Sequence, residues 1–166
     1  MTPARSIAFA PVFDDRARVL ILGSLPGAQS LARGEYYAHP QNAFWRLIGV
    51  VIGVDLTPLP YAARLEALRG AKVALWDVIA SATRRGSLDA AIRDPCAAQL
   101  AALIAALPDL RAVAFNGATA ARLGRRQLSG PDGPALIDLP SSSPAYAAMP
   151  FEAKRARWSR LAVYLA

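Results

Sequence analysis

A three-layer α/β/α domain around a central four-stranded parallel sheet is the fold this sequence predicts, and three observations predict it. Four short apolar runs recur along the chain, segments of helical periodicity separate them, and the apolarity of each run is continuous rather than alternating. Continuous runs fit strands covered on both faces, and strands alternating with helices fit a layered α/β domain. At 166 residues the chain is expected to form one domain, residues 1–166, burying roughly 70% of its unfolded surface.

The first strand is read at Val19-Leu20-Ile21-Leu22-Gly23-Ser24 and the second at Val73-Ala74-Leu75-Trp76-Asp77-Val78. The third is Ala112-Val113-Ala114-Phe115-Asn116-Gly117, and the fourth runs from Ala135 through Leu139 and Pro140 to Ser141. Helices are expected over 42–51, 61–68, 97–107, 118–128 and 151–165. In the first of these, Phe44, Leu47, Ile48 and Val51 form one apolar stripe. The Gly- and Pro-rich stretch 129–134 connects elements without marking a second domain, and Cys96 is read as an inert residue at a helix start.

Composition narrows the function classes. Hydrophobic residues make up 54% and charged residues 19%, which excludes disordered, collagen-like and coiled-coil proteins. No run reaches the length of a membrane span, and no apolar stretch follows Arg5 as in a secretory signal, so an intracellular protein without membrane contact is expected. A single cysteine, Cys96, and a single histidine, His39, leave no usual set of soft ligands, so neither metal nor other cofactor is expected. Lysine and arginine number 19 against 12 acidic residues, a net charge of +7, which suits a polyanionic partner such as nucleic acid as well as it suits a compositional bias.

Ligands of open parallel sheets sit at the carboxyl ends of the strands. That rule selects the segments 24–37, 77–87, 116–119 and 140–149. In the first, the turn Gly23-Ser24-Leu25-Pro26-Gly27 lets a ligand approach the backbone closely and offers amides to an anion or leaving group. It is neither a Walker loop nor a GxGxxG fingerprint. Tyr36-Tyr37-Ala38-His39-Pro40-Gln41-Asn42-Ala43-Phe44-Trp45 crowds polar and aromatic groups beside that turn, with Asn42 also placed to cap a helix. Arg84-Arg85-Gly86-Ser87 reads as a phosphate clamp or a solvated charge pair, while Arg122, Arg125, Arg126, Lys154, Arg155, Arg157 and Arg160 read as exposed helical faces. Leu139-Pro140-Ser141-Ser142-Ser143-Pro144-Ala145 offers hydroxyls and amides to phosphates, with a stiff tip to probe a duplex.

Taken together and in this order, these motifs resemble the uracil-DNA glycosylase superfamily over nearly the whole chain, and within it the hypoxanthine-DNA (deoxyinosine) glycosylase family. The resemblance implies a DNA repair enzyme, a monomer at the prokaryotic nucleoid, that flips out a deaminated base and excises it hydrolytically. The turn position that usually carries a water-positioning Asp or Asn is Leu25 here, and the resemblance passes that duty to Asn42, with His39 a candidate donor to the base. Tyr37 matches the residue that stacks on the flipped base. Gly23, Ser24, Pro26, Gly27, Trp76 and Asp77 are implied around the base. Ser30, Arg84, Arg85, Ser141, Ser142, Ser143 and Pro144 are implied on the DNA. Leu139 stands where uracil enzymes begin their last motif with His or Asn, which favours a purine such as hypoxanthine over uracil. No lysine lies in these loops, so a monofunctional glycosylase is expected. The alternatives left open are a mismatch-specific uracil glycosylase and a DNA-binding relative without catalysis. A small-molecule α/β hydrolase is disfavoured, since the chain has no nucleophile elbow.

Overall fold

The computed structural model describes residues 4–128 and 130–166; Met1, Thr2 and Pro3 of the expected N-terminus and Ser129 of the predicted connector lie outside the described residues. The four predicted strands form, as β2 (Val19–Gly23), β3 (Val73–Asp77), β6 (Ala112–Asn116) and β7 (Ala135–Leu139), one parallel sheet in the order β3-β2-β6-β7. Three further strands among the described residues were not revealed by sequence periodicity. They are β1 (Arg5–Ile7), β4 (Ile79–Thr83) and β5 (Arg93–Ala97), an antiparallel sheet in the order β1-β4-β5.

Side chains alternate across the sheet, so each strand feeds two cores. Val19 and Ile21 of β2 join Val73, Leu75, Ala112 and Ala114 on one face. There they meet α2 (Phe44–Ile52), α3 (Tyr61–Gly70) and α6 (Phe151–Trp158), through Phe44, Leu47, Ile48, Leu68 and Trp158. Leu20 and Leu22 join Ala74, Val113 and Phe115 on the other face, under α4 (Leu100–Ala105) and α5 (Ala118–Gln127). Gly124 is what lets α5 lie so close: a Cβ there would stand 2.3 Å from Phe115 Cε1. Only β7, an edge strand, departs from burial on both faces.

Several boundaries moved for local reasons. The 97–107 helix shrinks to Leu100–Ala105 because Arg93–Ala97 is drawn into pairing with β4, which also places Cys96 in an exposed strand, its Sγ 2.9 Å from Arg5 Nη2. The closing helix is α6 followed by a 3₁₀ segment, Ser159–Tyr164. A short helix that was not predicted, α1 (Ala28–Arg33), follows the first turn. Half of the segment that follows Asp77, up to residue 87, is strand β4, tied to that turn by Val78 N–H donating to Gly23 O (2.8 Å) and Ile79 N–H to Ser24 O (3.2 Å). No helix of the described residues is long and apolar enough to cross a membrane.

Candidate active site

The carboxyl edge of the parallel sheet ends in one row: Asp77, Gly23, Asn116 and Leu139, with Gly23 paired to Asp77 and Asn116 to Leu139. This row continues the face that carries Ile21, Leu75 and Ala114 two residues earlier, the face covered by α2. The central position of the row has no side chain, and the space that a side chain would fill is occupied. A Cβ on Gly23 would lie 2.7 Å from both Asp77 Oδ1 and Tyr37 Oη. Above this floor opens a cleft of about 440 Å³, walled by the 23–30 turn, Tyr37, His39, Asn42, 87–89, 116–119 and 141–146. Its size suits a nucleobase or small nucleoside.

Tyr37 adopts a left-handed backbone (φ 53°), a conformation that costs a non-glycine residue about 1–3 kcal/mol and recurs where function dictates the geometry. Phe44, the first residue of α2, stacks on its ring at 4.0 Å between centroids and 21° between planes. Asn116 Nδ2 donates to Tyr37 Oη (3.2 Å) and to Ser142 Oγ (2.9 Å), while Asn116 Oδ1 accepts from Ser142 N–H (2.9 Å). One buried amide therefore fixes both the aromatic wall and the loop after β7. Burial raises the Tyr37 phenol well above its ordinary range, so it stays neutral.

Asn42 lies at the mouth of α2, and its Oδ1 accepts the Phe44 N–H (3.0 Å). A carbonyl oxygen has two lone pairs, so this turn-forming bond leaves a second one for a ligand. His39 sits one turn earlier. Its Nδ1 accepts from Gln41 N–H (3.1 Å), which makes Nε2 the proton-bearing nitrogen of the neutral ring. Both residues line the cleft.

The opposite wall is charged. Asp77 is 3% exposed, and its Oδ2 is buried with no hydrogen-bond partner. Burial, then the charge of Asp89, push its carboxyl up to about 7, against the opposing pull of Arg84. Asp89 is held by Ser24 Oγ (2.7 Å) and lies 3.9 Å from Arg84 Nη1.

Other expected site residues are placed less directly. Arg84 does not reach outward to phosphates: it is buried, with Nη2 donating to Pro26 O behind the turn. Arg85 is exposed and away from the cleft lining. Trp76 points to the other side of β3 from Asp77, its Nε1 donating to Phe9 O (3.0 Å), so it does not wall the cleft. Ser24, Pro26 and Gly27 do line it, but the Ala28 amide of the turn is taken by Ser87 Oγ (2.9 Å). Ser30 is buried, accepting Ala38 N–H (3.1 Å). Ser142 is buried against Asn116, whereas Ser141, Ser143 and the exposed Pro144 stay at the rim. Lys154, expected on an exposed face, is 6% exposed instead, 3.4 Å from Ser143 O and over the Tyr146 ring. Asn116, Leu88 and Asp89 line the walls without having been singled out as site residues, and of the Arg84-Arg85-Gly86-Ser87 motif it is Ser87 that joins them.

Residues 10–162 match the model of the uracil DNA glycosylase superfamily. The chain belongs to that superfamily. Its members are DNA N-glycosylases, and the expected enzyme class and fold both stand. Among curated relatives, a hypoxanthine DNA glycosylase of Methanosarcina barkeri (strain Fusaro) is 47% identical over 109 residues, which is 66% of this chain and 69% of that protein. A hypoxanthine DNA glycosylase of Methanosarcina acetivorans is 39% identical over the same shares. The solution structure of a candidate uracil DNA glycosylase from Methanosarcina acetivorans superposes with a TM-score of 0.85 at 33% identity, covering 98% of this chain and 99% of that one. Leu25 and Leu139 are built into the cores at 6% and 5% exposure, and Leu25 also lines the cleft.

Proposed function

We propose that this superfamily member excises hypoxanthine from deaminated DNA, as a monomer without cofactor, in the cytoplasm at the nucleoid, and leaves an abasic site. The observation that carries the reading is Asn42 at the rim of the cleft, with an apolar side chain both at Leu25, which packs into the core while lining the cleft, and at Leu139, which is buried. An amide is thus available for water, while two positions that could have offered polar groups to uracil are apolar. The names of the two Methanosarcina relatives support the same base.

The chemistry follows from the walls. A base must turn about 180° out of the duplex, at a few kcal/mol, least where pairing is weak, as for inosine opposite thymine. Stacking on the Tyr37 face not covered by Phe44 returns roughly 1–3 kcal/mol. Cleavage builds positive charge on the sugar and negative charge on the departing base. The second lone pair of Asn42 Oδ1 orients the attacking water, His39 Nε2–H donates to the base, and the turn at Gly23, Ser24, Pro26 and Gly27 receives it beside Asp77. Asn42 is a weak base, so stabilisation of the leaving group dominates and turnover is slow. Ser141, Ser143 and Pro144 meet the DNA backbone at the rim, with Arg85 at longer reach. Ser142, Ser30 and Arg84 hold the loops that do so, and Trp76 anchors β3 to Phe9.

Duplexes carrying inosine, uracil or xanthine, incubated with the protein and then treated with alkali to break abasic sites, test this reading. Inosine strands are expected to be cut well and uracil strands poorly or not at all. Equal or faster cutting at uracil would move the assignment to a uracil glycosylase.

A further inference from the structure

Every polar atom of the Asn116 side chain is matched on its wall of the cleft, whereas Asp77 Oδ2 across the floor is not. A buried, unpartnered carboxyl oxygen costs about 1–3 kcal/mol, so its persistence at a cleft asks for a ligand group to complete it. Hypoxanthine presents a lactam edge: a carbonyl oxygen, O6, beside an N–H, N1. A carboxylic acid matches that edge with two hydrogen bonds, O–H to O6 and N1–H to its own carbonyl oxygen. A carboxylate cannot donate, and its charge opposes a base that leaves as an anion. We propose that Asp77 works as a neutral carboxylic acid, donating its proton to the carbonyl oxygen of the flipped base and reading the lactam edge that deamination creates.

The surroundings of Asp77 favour the neutral form on every side but that of Arg84. Glycine at position 23 lets the carboxyl and the Tyr37 hydroxyl both approach the floor. Tyr36 and Tyr37, both held as phenols by burial, bring no positive charge. Asp89 adds a like charge from the 3₁₀ turn Asp89–Ala91. Arg84 alone opposes, and its Nη2 is already committed to Pro26 O while Nη1 leans toward Asp89. The result is a carboxyl poised at about 7.

The inference rests on the proposed excision of hypoxanthine and makes a separate demand on pH. The second-order single-turnover rate on inosine duplex, which reports groups of the free enzyme, is measured from pH 5.5 to 9 for the parent, Asp77→Asn, Asp77→Ala and His39→Gln. With a carboxyl near 7, the parent rate falls by about 30-fold from its plateau to pH 8.5. Asp77→Asn, which presents a permanent donor and acceptor, loses that decline and overtakes the parent at the alkaline end. Asp77→Ala is slow throughout. His39 lines the cleft as well, along with Asp89 and the phenols of Tyr36, Tyr37 and Tyr146, and His39→Gln keeps the alkaline limb. Melting curves establish that each variant is folded, and the isosteric Asn variant carries the comparison if Ala does not fold. A parent inactive on inosine at every pH overturns the base assignment itself. An active parent whose rate is flat or climbs above pH 7, or a decline that survives Asp77→Asn and vanishes in His39→Gln, overturns the role of Asp77 alone.

Discussion

The two walls of the cleft are made of similar residues and built in opposite ways. On one side Asn116, Tyr37 and Ser142 close a network in which the amide uses both its ends, and the loop after β7 is pinned by Trp158 Nε1 on Pro140 O (2.9 Å). On the other side Asp77 Oδ2 and the Arg84 Nε and Nη1 atoms are buried without hydrogen-bond partners. A satisfied buried network rigidifies, and an unsatisfied one stores a cost that a ligand can relieve. The difference separates a wall that positions from a wall left with unmet hydrogen-bonding groups. The Asn116 wall holds the aromatic ring of Tyr37 at a left-handed residue, while the Asp77 wall, on the proposed reading, takes the hydrogen-bonding edge of a base.

Removing the amide of the satisfied wall breaks this contrast most. Asn116→Ala strips partners from Tyr37 Oη and from the Oγ and backbone N–H of Ser142 at once. A loss of about 2–4 kcal/mol of stability is expected in denaturant unfolding, with a slower single-turnover rate because platform and loop lose their common support. On the other wall the sign reverses. Asp77 has its folded-state proton affinity raised to about 7, above the unfolded carboxyl, so the native state holds a proton that the unfolded chain has lost. Parent stability therefore declines as pH rises from about 4 to 7, by roughly 1.4 kcal/mol per pH unit from this one group, and is level above that window. Asp77→Asn removes the decline, so its advantage over the parent grows across the same window. Thermal or denaturant unfolding at pH 5 and pH 7.5 measures it. If both variants were destabilised alike at every pH, the walls would not differ in the way described.

Much of this architecture was legible in the residues, for identifiable reasons. The four parallel strands are continuous apolar runs with no competing helical period, and the cleft follows from where such runs end. The antiparallel sheet was hidden because Arg93-Asp94-Pro95-Cys96-Ala97 is exposed at all five positions and carries no apolar alternation. Arg84 read as a surface charge beside Arg85, since nothing local announces that its guanidinium turns inward to a backbone carbonyl in another loop. Trp76 and Asp77 could not both face the cleft, because neighbours on a strand point to opposite sides. Continuous apolarity masks that alternation, and only the register with Gly23 reveals which of the two is inside. Asn116 carried the same signal as Asp77, a polar residue closing an apolar strand, and its partners in distant loops were invisible without the fold.

The proposed mechanism joins structure and chemistry at a single atom of Asn42, so this residue gives the most direct test of the account. Its Oδ1 accepts the Phe44 N–H, which alone would make it a cap whose loss costs about 0.5–2 kcal/mol of stability. If it holds the attacking water, as proposed, it must also matter to rate. The decisive measurement is the single-turnover rate of Asn42→Ala on inosine duplex, taken with its DNA affinity and with Asn42→Asp, which preserves the bond to Phe44, as the structural control. The account predicts affinity within a few-fold of the parent and a rate lower by on the order of 10²-fold or more, a barrier increase of roughly 2.7 kcal/mol. For Asn42→Asp it predicts unchanged folding and a rate that moves away from the parent's. Inosine cleavage at the parent rate by both variants would contradict it.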